Sequence, residues 1–153
     1  MKTVCLYFEM HQIIHLKRYR FFDIGTDAYY YDDFENERSI SEIAEKSYIP
    51  TLTCLLRMVK DNKKDFKFAI SLSGCGIEQL EMHAPKVLDL LKELADTGCV
   101  EFLAEPYSHG LASLANEDCF RIEVKEQMQK MKEYFGQTPK VFRNSSLIYS
   151  NDI

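Results

Sequence analysis

The sequence predicts an α/β fold in which parallel strands alternate with helices. Three short, mostly apolar runs, at 4–8, 66–72 and 100–104, have the length and the β-branched and aromatic content of strands. A fourth run begins at 141–142, and stretches with apolar residues at helical spacing lie between the runs. Four parallel strands are about half of a closed α/β barrel. The length of the chain is that of one ordinary domain, so we expect a single domain over residues 1–153.

The first half of the chain is predicted to hold one strand, a long loop and one helix. Residues 4–8 are apolar throughout, so this strand is expected to be buried on both faces. Residues 17–40 mix aromatic and acidic residues without clear periodicity, which indicates a long irregular loop whose aromatic content argues against disorder. Ser39 or Ser41 is predicted to cap the helix that follows, and Pro50 to kink or split it.

The remaining helices are predicted from the residues at their ends. Residues 73–76 predict a turn after the second strand, and residues 77–83 a short helix. Pro85 marks the start of the next helix and Gly98 its end. A last helix is predicted between a capping Asn and a closing Gly at 116–136, with its core face formed by Ile122, Met128 and Met131.

The composition is that of a globular protein. Apolar residues make up 46% and charged residues 28%, and the formal net charge of −5 predicts no surface for nucleic acid or anionic lipid. The five cysteines include no C-x-x-C pair, which favours reduced, buried thiols over disulfides or a zinc site. No apolar run has the length of a signal-peptide core or of a membrane span, so we expect a cytoplasmic protein that does not bind membranes.

Polar residues gather where the predicted strands end, which is where α/β folds place their chemistry. We expect the following side chains to converge on one rim: Glu9, His11, Gln12, Ser73, Glu105, Tyr107, His109, Arg143, Asn144 and Ser146. Simpler interpretations exist for each of them. The histidines could be packing residues, Glu105 could form a structural ion pair with Arg143, and the amides could bind loop backbone.

A metal site is not predicted. His11 and His15 are four residues apart, but they follow a strand rather than lie on a helix, so the two imidazoles would not share a face. No pair of aspartates lies near His11 to complete a ligand set. The sequence therefore predicts neither a metal nor another cofactor.

Four stretches carry a resemblance to a known family. His11-Gln12 is similar to the His-Gln that opens its first motif, and residues 97–102 resemble its second, Gly-Asn-Val-Glu. Residues 105–114, EPYSHGLASL, are similar to the Glu-Thr-Tyr-Tyr-His-Ser-Leu-Ala-Ser-Leu of its α-amylase branch. Residues 139–144 resemble the lead-in to its third motif, which that branch continues as Thr-Glu-Leu-x-Tyr where this sequence has SSLIY. In this order, the stretches resemble glycoside hydrolase family 57.

The resemblance implies a seven-stranded, incomplete (β/α) barrel that acts on α-1,4-glucans such as maltooligosaccharides by the retaining route. The chain would be a truncated, N-terminal portion of that barrel. Retaining hydrolysis needs two carboxylates about 5–5.5 Å apart. The nucleophilic Glu of the family falls on Ser146, which brings no charge to stabilise an oxocarbenium ion. No residue of the chain matches the Asp of the acid/base segment.

Three functions stay open at this point. The first is binding of α-glucans without normal hydrolysis, through His11, Gln12, Tyr107, His109, Arg143 and Asn144. The second is an active hydrolase or transglycosylase that uses another carboxylate. Glu105 is the best candidate for that role, because Asp152 is expected to lie off the rim. The third, a metal-dependent deacetylase-like barrel, is disfavoured by the missing ligands. Uncovered sheet edges also predict self-association.

Overall fold

The computed structural model describes residues 3–26, 28–62 and 65–151, and its centre is a parallel sheet. The strands lie in the order β1-β2-β3 and are all parallel: β1 (Tyr7–Met10), β2 (Phe68–Leu72) and β3 (Val100–Leu103). A parallel bridge between Ala104 and Phe142 continues the sheet beyond β3, so the predicted fourth strand is reduced to one bridge. The prediction of an α/β fold with parallel strands is confirmed.

Six α-helices lie in the described residues: α1 (Asp33–Ile43), α2 (Ile49–Asp61), α3 (Gly74–His83), α4 (Pro85–Asp96), α5 (Ala112–Ala115) and α6 (Glu117–Phe135). A π-helical segment, Ala44–Tyr48, joins α1 to α2. Pro50 lies in the first turn of α2, directly after the π-helical segment, and Tyr48 and Ile49 before it keep helical dihedrals. The helix is thus interrupted by one π-helical segment just before Pro50 and is not split into two separate helices, because a wider turn can accommodate the missing N–H of proline.

The two faces of the sheet differ in chemistry. One face packs against the helices through Phe8, Met10, Phe68, Ile70, Leu72, Val100 and Phe102. The opposite face carries Tyr7 and Glu9 of β1, which the strand register aligns with Ala69 and Ser71 of β2. In an α/β barrel the helices surround the sheet and the opposite face points inward. The chain thus has the layering of a barrel wall.

The prediction that the first strand is buried on both faces is wrong. The strand begins only at Tyr7, and the apolar residues before it are exposed, Val4 by 82% and Leu6 by 39%. The physical reason is position, since β1 lies at the edge of the sheet and the core covers only one of its faces. Apolar sequence alone did not reveal that second, open side.

The long loop predicted at 17–40 is shorter than expected, and the predicted helix cap at Ser39 or Ser41 is wrong. Helix α1 begins at Asp33, and the Asp32 carboxylate accepts a hydrogen bond from the backbone N–H of Glu35 at 3.1 Å. Acidic residues stabilise the first turn of a helix because they cap its free N–H groups and face its positive end. Here they start the helix rather than extend the loop.

The turn predicted at 73–76 is also wrong, because it is the first turn of α3. Ser73 caps this helix, and its Oγ accepts from the backbone N–H of Gly76 at 3.0 Å. The end of α4 follows the prediction, with Gly98 in the left-handed region at φ 69°. Asn116 caps α6 as predicted, accepting a hydrogen bond from the backbone N–H of Cys119 at 2.9 Å.

Two predictions about the core need correction. Ile122 is 55% exposed, because the buried residues of α6 lie in its second half, where Met131 is fully buried. Of the five free cysteines only Cys99 is buried, while Cys5, Cys54 and Cys119 are exposed. Their apolar sequence neighbours hid the fact that these three side chains point outward. Among the described residues, no helix combines the length and the apolar character needed to cross a bilayer.

Candidate functional site

Four ionisable side chains form a closed ring at the carboxyl ends of the strands. Arg143 donates from Nη1 and Nη2 to the two carboxylate oxygens of Glu9, at 2.8 and 2.7 Å. His109 lies between the two acids, with Nε2 at 3.1 Å from Glu9 and Nδ1 at 3.4 Å from Glu105. Nη1 of Arg143 closes the ring at 3.6 Å from Glu105. We call Glu9, Glu105, His109 and Arg143 the charged cluster.

Strand register brings the charged cluster together. Glu9 pairs with Ser71 on β2, and Ser71 pairs with Leu103 at the end of β3. Glu105 follows two residues later and therefore emerges on the same face of the sheet. Arg143 is placed by the bridge beyond β3, since its backbone N–H donates to the carbonyl of Ala104 at 2.8 Å. The predicted convergence at one rim is thus observed for Glu9 on β1, Glu105 after β3 and Arg143 after the bridge beyond β3.

Gln127 of α6 hydrogen-bonds to the backbone at the ends of β2 and β3. Its side chain is fully buried, and its Nε2 donates to the carbonyls of Leu72 at 2.9 Å and Leu103 at 3.3 Å. Its Oε1 accepts from the backbone N–H of Glu105 at 3.4 Å. The side-chain amide of Gln127 therefore provides hydrogen-bond partners for backbone groups at the ends of β2 and β3, where pairing between the strands stops.

Glu105 is the most deeply buried member of the charged cluster. Its side chain is fully inaccessible, and within the described residues neither carboxylate oxygen has a donor in good hydrogen-bond geometry. Burial raises the pKa of Glu105 to about 7, while the nearby Arg143 guanidinium acts in the opposite direction. A carboxyl group with this pKa is largely protonated just below neutral pH.

His11 adjoins the charged cluster by stacking on His109. The two ring centroids are 4.4 Å apart and the planes differ by 20°. Nδ1 of His11 is 2.7 Å from the hydroxyl of Ser73, which fixes the ring. Burial, and then the neighbouring His109, lower the pKa of His11 to about 4, so His11 is neutral at pH 7. Burial also lowers the pKa of His109, against the pull of the Glu9 carboxylate.

Two other predicted site residues make contacts elsewhere. Gln12 donates from Nε2 to the hydroxyl of Tyr48 at 3.4 Å, on the side of α1 and α2. Tyr107 donates its hydroxyl to Glu78 of α3. The ring of Tyr107 covers Gly74, where an added Cβ would lie only 2.2 Å from the ring. These contacts point the two side chains toward the helices rather than toward the charged cluster.

The segment after Arg143 forms a tight 3-10 turn, Ser145–Leu147. Asn144 is buried and supports this turn, because its Nδ2 donates to the Ser113 hydroxyl at 3.0 Å and its Oδ1 accepts from the backbone N–H of Ser145. Ser145 is buried, whereas Ser146 is exposed and left-handed at φ 53°. Asp152 lies outside the described residues.

Sequence reasoning located Glu9 at the end of the first strand, among the residues expected at the rim, but assigned it no role in the site. A lone acid within an otherwise apolar strand is a usable signal, because a charge there must find a partner or face an open side. The partner, Arg143, lies on the far edge of the sheet, which periodicity cannot show. The same face also brings Tyr7 to Ser71, whose hydroxyls are 2.6 Å apart.

Three members of the charged cluster could supply metal ligands. One ligand atom each from Glu9, Glu105 and His109 lies within 4.8 Å of the others. The guanidinium of Arg143, however, contacts both carboxylates at 2.7 to 3.6 Å. A metal ion would compete with Arg143 for the same oxygens, so the positive charge at this site is the one that Arg143 supplies.

Comparison with known proteins identifies the family. The model of Glycosyl hydrolase family 57 matches residues 5–153, and the chain belongs to this family. It is 41% identical over 125 residues to a protein of Methanocaldococcus jannaschii named "Putative alpha-amylase", and 35% identical over 96 residues to an alpha-amylase of Pyrococcus abyssi. These matches cover 81% and 62% of the chain.

The fold agrees with a solved structure of low sequence identity. The 4-alpha-glucanotransferase from Thermococcus litoralis superimposes with a TM-score of 0.70 at 16% identity, over 95% of the chain and 19% of that enzyme. The predicted fold class is confirmed, since the chain corresponds to part of the (β/α)7 barrel of this family. The chain spans 26% of the Methanocaldococcus protein and 13% of the Pyrococcus enzyme.

Proposed function

We propose that the chain is part of an α-amylase-like member of glycoside hydrolase family 57 that binds α-1,4-glucans without normal retaining hydrolysis. The observation that carries this proposal is the state of the two carboxylates in the charged cluster. Glu105 is fully buried, and Glu9 is bound by Arg143 and His109. Neither acid is free to attack a sugar, and Ser146 stands at the position where the resemblance to the family expects the nucleophilic Glu.

The chemistry of Ser146 supports loss of the retaining route. A retaining enzyme places a charged nucleophile about 5–5.5 Å from its acid/base carboxyl group. A serine hydroxyl is a poor nucleophile unless a neighbouring base removes its proton. Ser146 is exposed in the turn after Arg143, and its side chain makes no hydrogen bond within residues 3–26, 28–62 and 65–151. Within this part of the chain, its hydroxyl has no neighbouring base of the kind that nucleophilic attack requires.

The rest of the rim supports sugar binding. The neutral imidazole of His11 and the partly exposed side chain of Tyr7 suit the hydroxyl groups of an uncharged sugar. The names of the relatives, two of them alpha-amylases and one a 4-alpha-glucanotransferase, support an α-1,4-glucan as the ligand. We further propose that residues 1–153 are the N-terminal portion of a longer catalytic barrel.

One observation favours the alternative, an active hydrolase or transglycosylase that relies on Glu105. A pKa of about 7 suits a general acid near neutral pH. The side chain is, however, fully buried beneath His109 and Arg143, so a sugar would reach it only if these two residues moved. The second carboxylate of the cluster, Glu9, is held by Arg143 and His109, so it is not free to act as the partner that glycoside hydrolysis requires.

Binding and turnover are measured together on the full chain with maltohexaose. We expect calorimetry to detect binding and chromatography to detect no shorter products. Ser146→Ala is the matched control, and it should bind as the unaltered protein does. Activity gained only in Ser146→Glu would support the proposal further. Turnover by the unaltered protein that Glu105→Gln abolishes would establish the alternative, and absence of binding would overturn the glucan-binding role.

A further inference from the structure

We infer that Glu9 is the carboxylate through which the charged cluster contacts its ligand, accepting a hydrogen bond from a sugar hydroxyl. Glu105 is then a positioning residue that acts through Arg143 and His109. The inference rests on the proposed glucan binding and deepens it, because it assigns the contact to a residue that the sequence pattern located at the rim without giving it a role.

Accessibility separates the two acids. The side chain of Glu9 is 34% exposed, whereas that of Glu105 has no exposed surface. A ligand hydroxyl can hydrogen-bond only to an oxygen that solvent also reaches. Of the two carboxylates in the cluster, Glu9 alone meets this condition without a rearrangement of its neighbours.

The hydrogen bonds of Glu9 leave room for one more donor. A carboxylate accepts about four hydrogen bonds, two at each oxygen. Oε1 of Glu9 faces Nη1 of Arg143 at 2.8 Å and Nε2 of His109 at 3.1 Å. Oε2 faces Nη2 of Arg143 at 2.7 Å. Within the described residues, Oε2 is therefore left with one acceptor position, and the two-fold contact with Arg143 fixes where that position points.

Glu105 supports this arrangement from the buried side. Its Oε2 lies 3.4 Å from Nδ1 of His109 and 3.6 Å from Nη1 of Arg143. These are ion-pair distances without hydrogen-bond geometry, so Glu105 acts on the two residues that hold Glu9 through its charge. Preorganised donors of this kind lower the ordering cost when a ligand binds.

The charge of the cluster defines the class of ligand. Glu9 and Arg143 neutralise each other, and the remaining acceptor position lies on the negative partner. A phosphate or carboxylate would be repelled there, whereas a hydroxyl can donate to it. The site is therefore suited to an uncharged polyol rather than to a phosphorylated or acidic sugar.

The inference is tested with Glu9→Gln on the full chain, by calorimetric titration with maltohexaose. Loss of a charged acceptor is expected to weaken binding by about tenfold or more. Glu93→Gln is the matched control, since Glu93 is an exposed acid paired with Lys60 at 2.9 Å among the helices. Its affinity should equal that of the unaltered protein.

Each outcome decides one question. If the unaltered protein binds and Glu9→Gln binds within twofold of it, the inference is overturned and glucan binding stands. If the unaltered protein does not bind, the proposed function fails and takes the inference with it. Should Glu9→Gln lose its circular dichroism signature, Glu9→Asp replaces it. That variant keeps the charge but withdraws the oxygens by one methylene, so binding should still weaken, and unchanged affinity would contradict the inference.

Discussion

Arg143 and Glu9 are 134 positions apart in the chain, yet two parallel hydrogen bonds of 2.8 and 2.7 Å join them. The pair connects β1 at one edge of the sheet with the segment beyond β3 at the other. Because the planar guanidinium matches the carboxylate at both oxygens, the contact depends on arginine and not merely on a positive charge.

Arg143→Lys is therefore expected to lower the free energy of unfolding by about 1 kcal/mol or more. Lysine keeps the positive charge but cannot donate the two parallel hydrogen bonds of the guanidinium. Urea denaturation measures the change. Arg121→Lys is the matched control, because Arg121 pairs with Glu117 on an exposed helix surface and its replacement should change stability much less. Equal losses in the two variants would contradict a special role for the Arg143 pair.

Stability should depend on pH through Glu105. Burial raises its pKa from 4.5 to about 7, so the folded state holds a proton that the unfolded state has already released. The stability contributed by this group is full below pH 4.5 and is lost as pH rises to 7. In Glu105→Gln that decline should disappear. Melting temperatures between pH 4.5 and 8 measure it.

His11 opposes Glu105 over part of this range. Its pKa falls from 6.5 to about 4 in the folded protein, so its contribution is present above pH 6.5 and is lost as pH falls toward 4. Because the two effects nearly cancel between pH 4.5 and 6.5, the unaltered protein should change little there and decline only toward pH 7. In Glu105→Gln the melting temperature should instead rise with pH up to about 6.5. The same pH profile in the variant and the unaltered protein would show that Glu105 is not responsible.

Gly74 should tolerate no side chain while Tyr107 is present. An added Cβ would lie 2.2 Å from the Tyr107 ring, so Gly74→Ala must displace that ring and is expected to cost about 1–3 kcal/mol. Denaturant unfolding of Gly74→Ala, Tyr107→Ala and the double variant forms a complete cycle. The double variant should be more stable than the sum of the single losses predicts. Strict additivity would show that the two residues are not coupled.

Self-association remains a prediction that the structure makes more specific. The edge strand β1 follows the exposed apolar residues Val4 and Leu6, and exposed edges of this kind pair with other chains. Light scattering is expected to show a mass that rises with concentration, and Leu6→Lys should reduce this rise. Met82→Lys changes an equally apolar, 67% exposed position on α3 and should have no effect. A monomer at all concentrations would contradict the prediction.

Elements with a complete periodic pattern could be predicted from the sequence. Helix α4 was located from Pro85, its leucine spacing and Gly98, and its periodic residues are indeed buried. The start of α1 was missed because its capping Asp32 stands among acidic and aromatic residues that resemble a loop. Local pattern thus identifies an element when one face is buried along its whole length, and fails where a single capping contact sets the boundary.

The candidate site could be predicted only in part. His109, Glu105 and Arg143 were selected because they follow strands, and the structure brings them together. Glu9 was located at the rim but given no role, because its two partners come from the far side of the sheet. Tyr107 was selected but packs on Gly74, a choice that its neighbours in sequence do not determine. Residue type and strand position predict which side chains reach a rim, but not which way each one turns there.

The extent of the buried core has a consequence for how the protein is made. The core cluster begins at Met10 and its last member is Phe135, so every side chain in it has been synthesised before the segment that carries Arg143 and Ser146. Chains are built from the N-terminus at about 5–20 residues per second, and earlier parts can fold while later ones are still being added. The sheet and its helices can therefore fold on the ribosome first. Arg143, which completes the charged cluster, then binds to a sheet that has already formed.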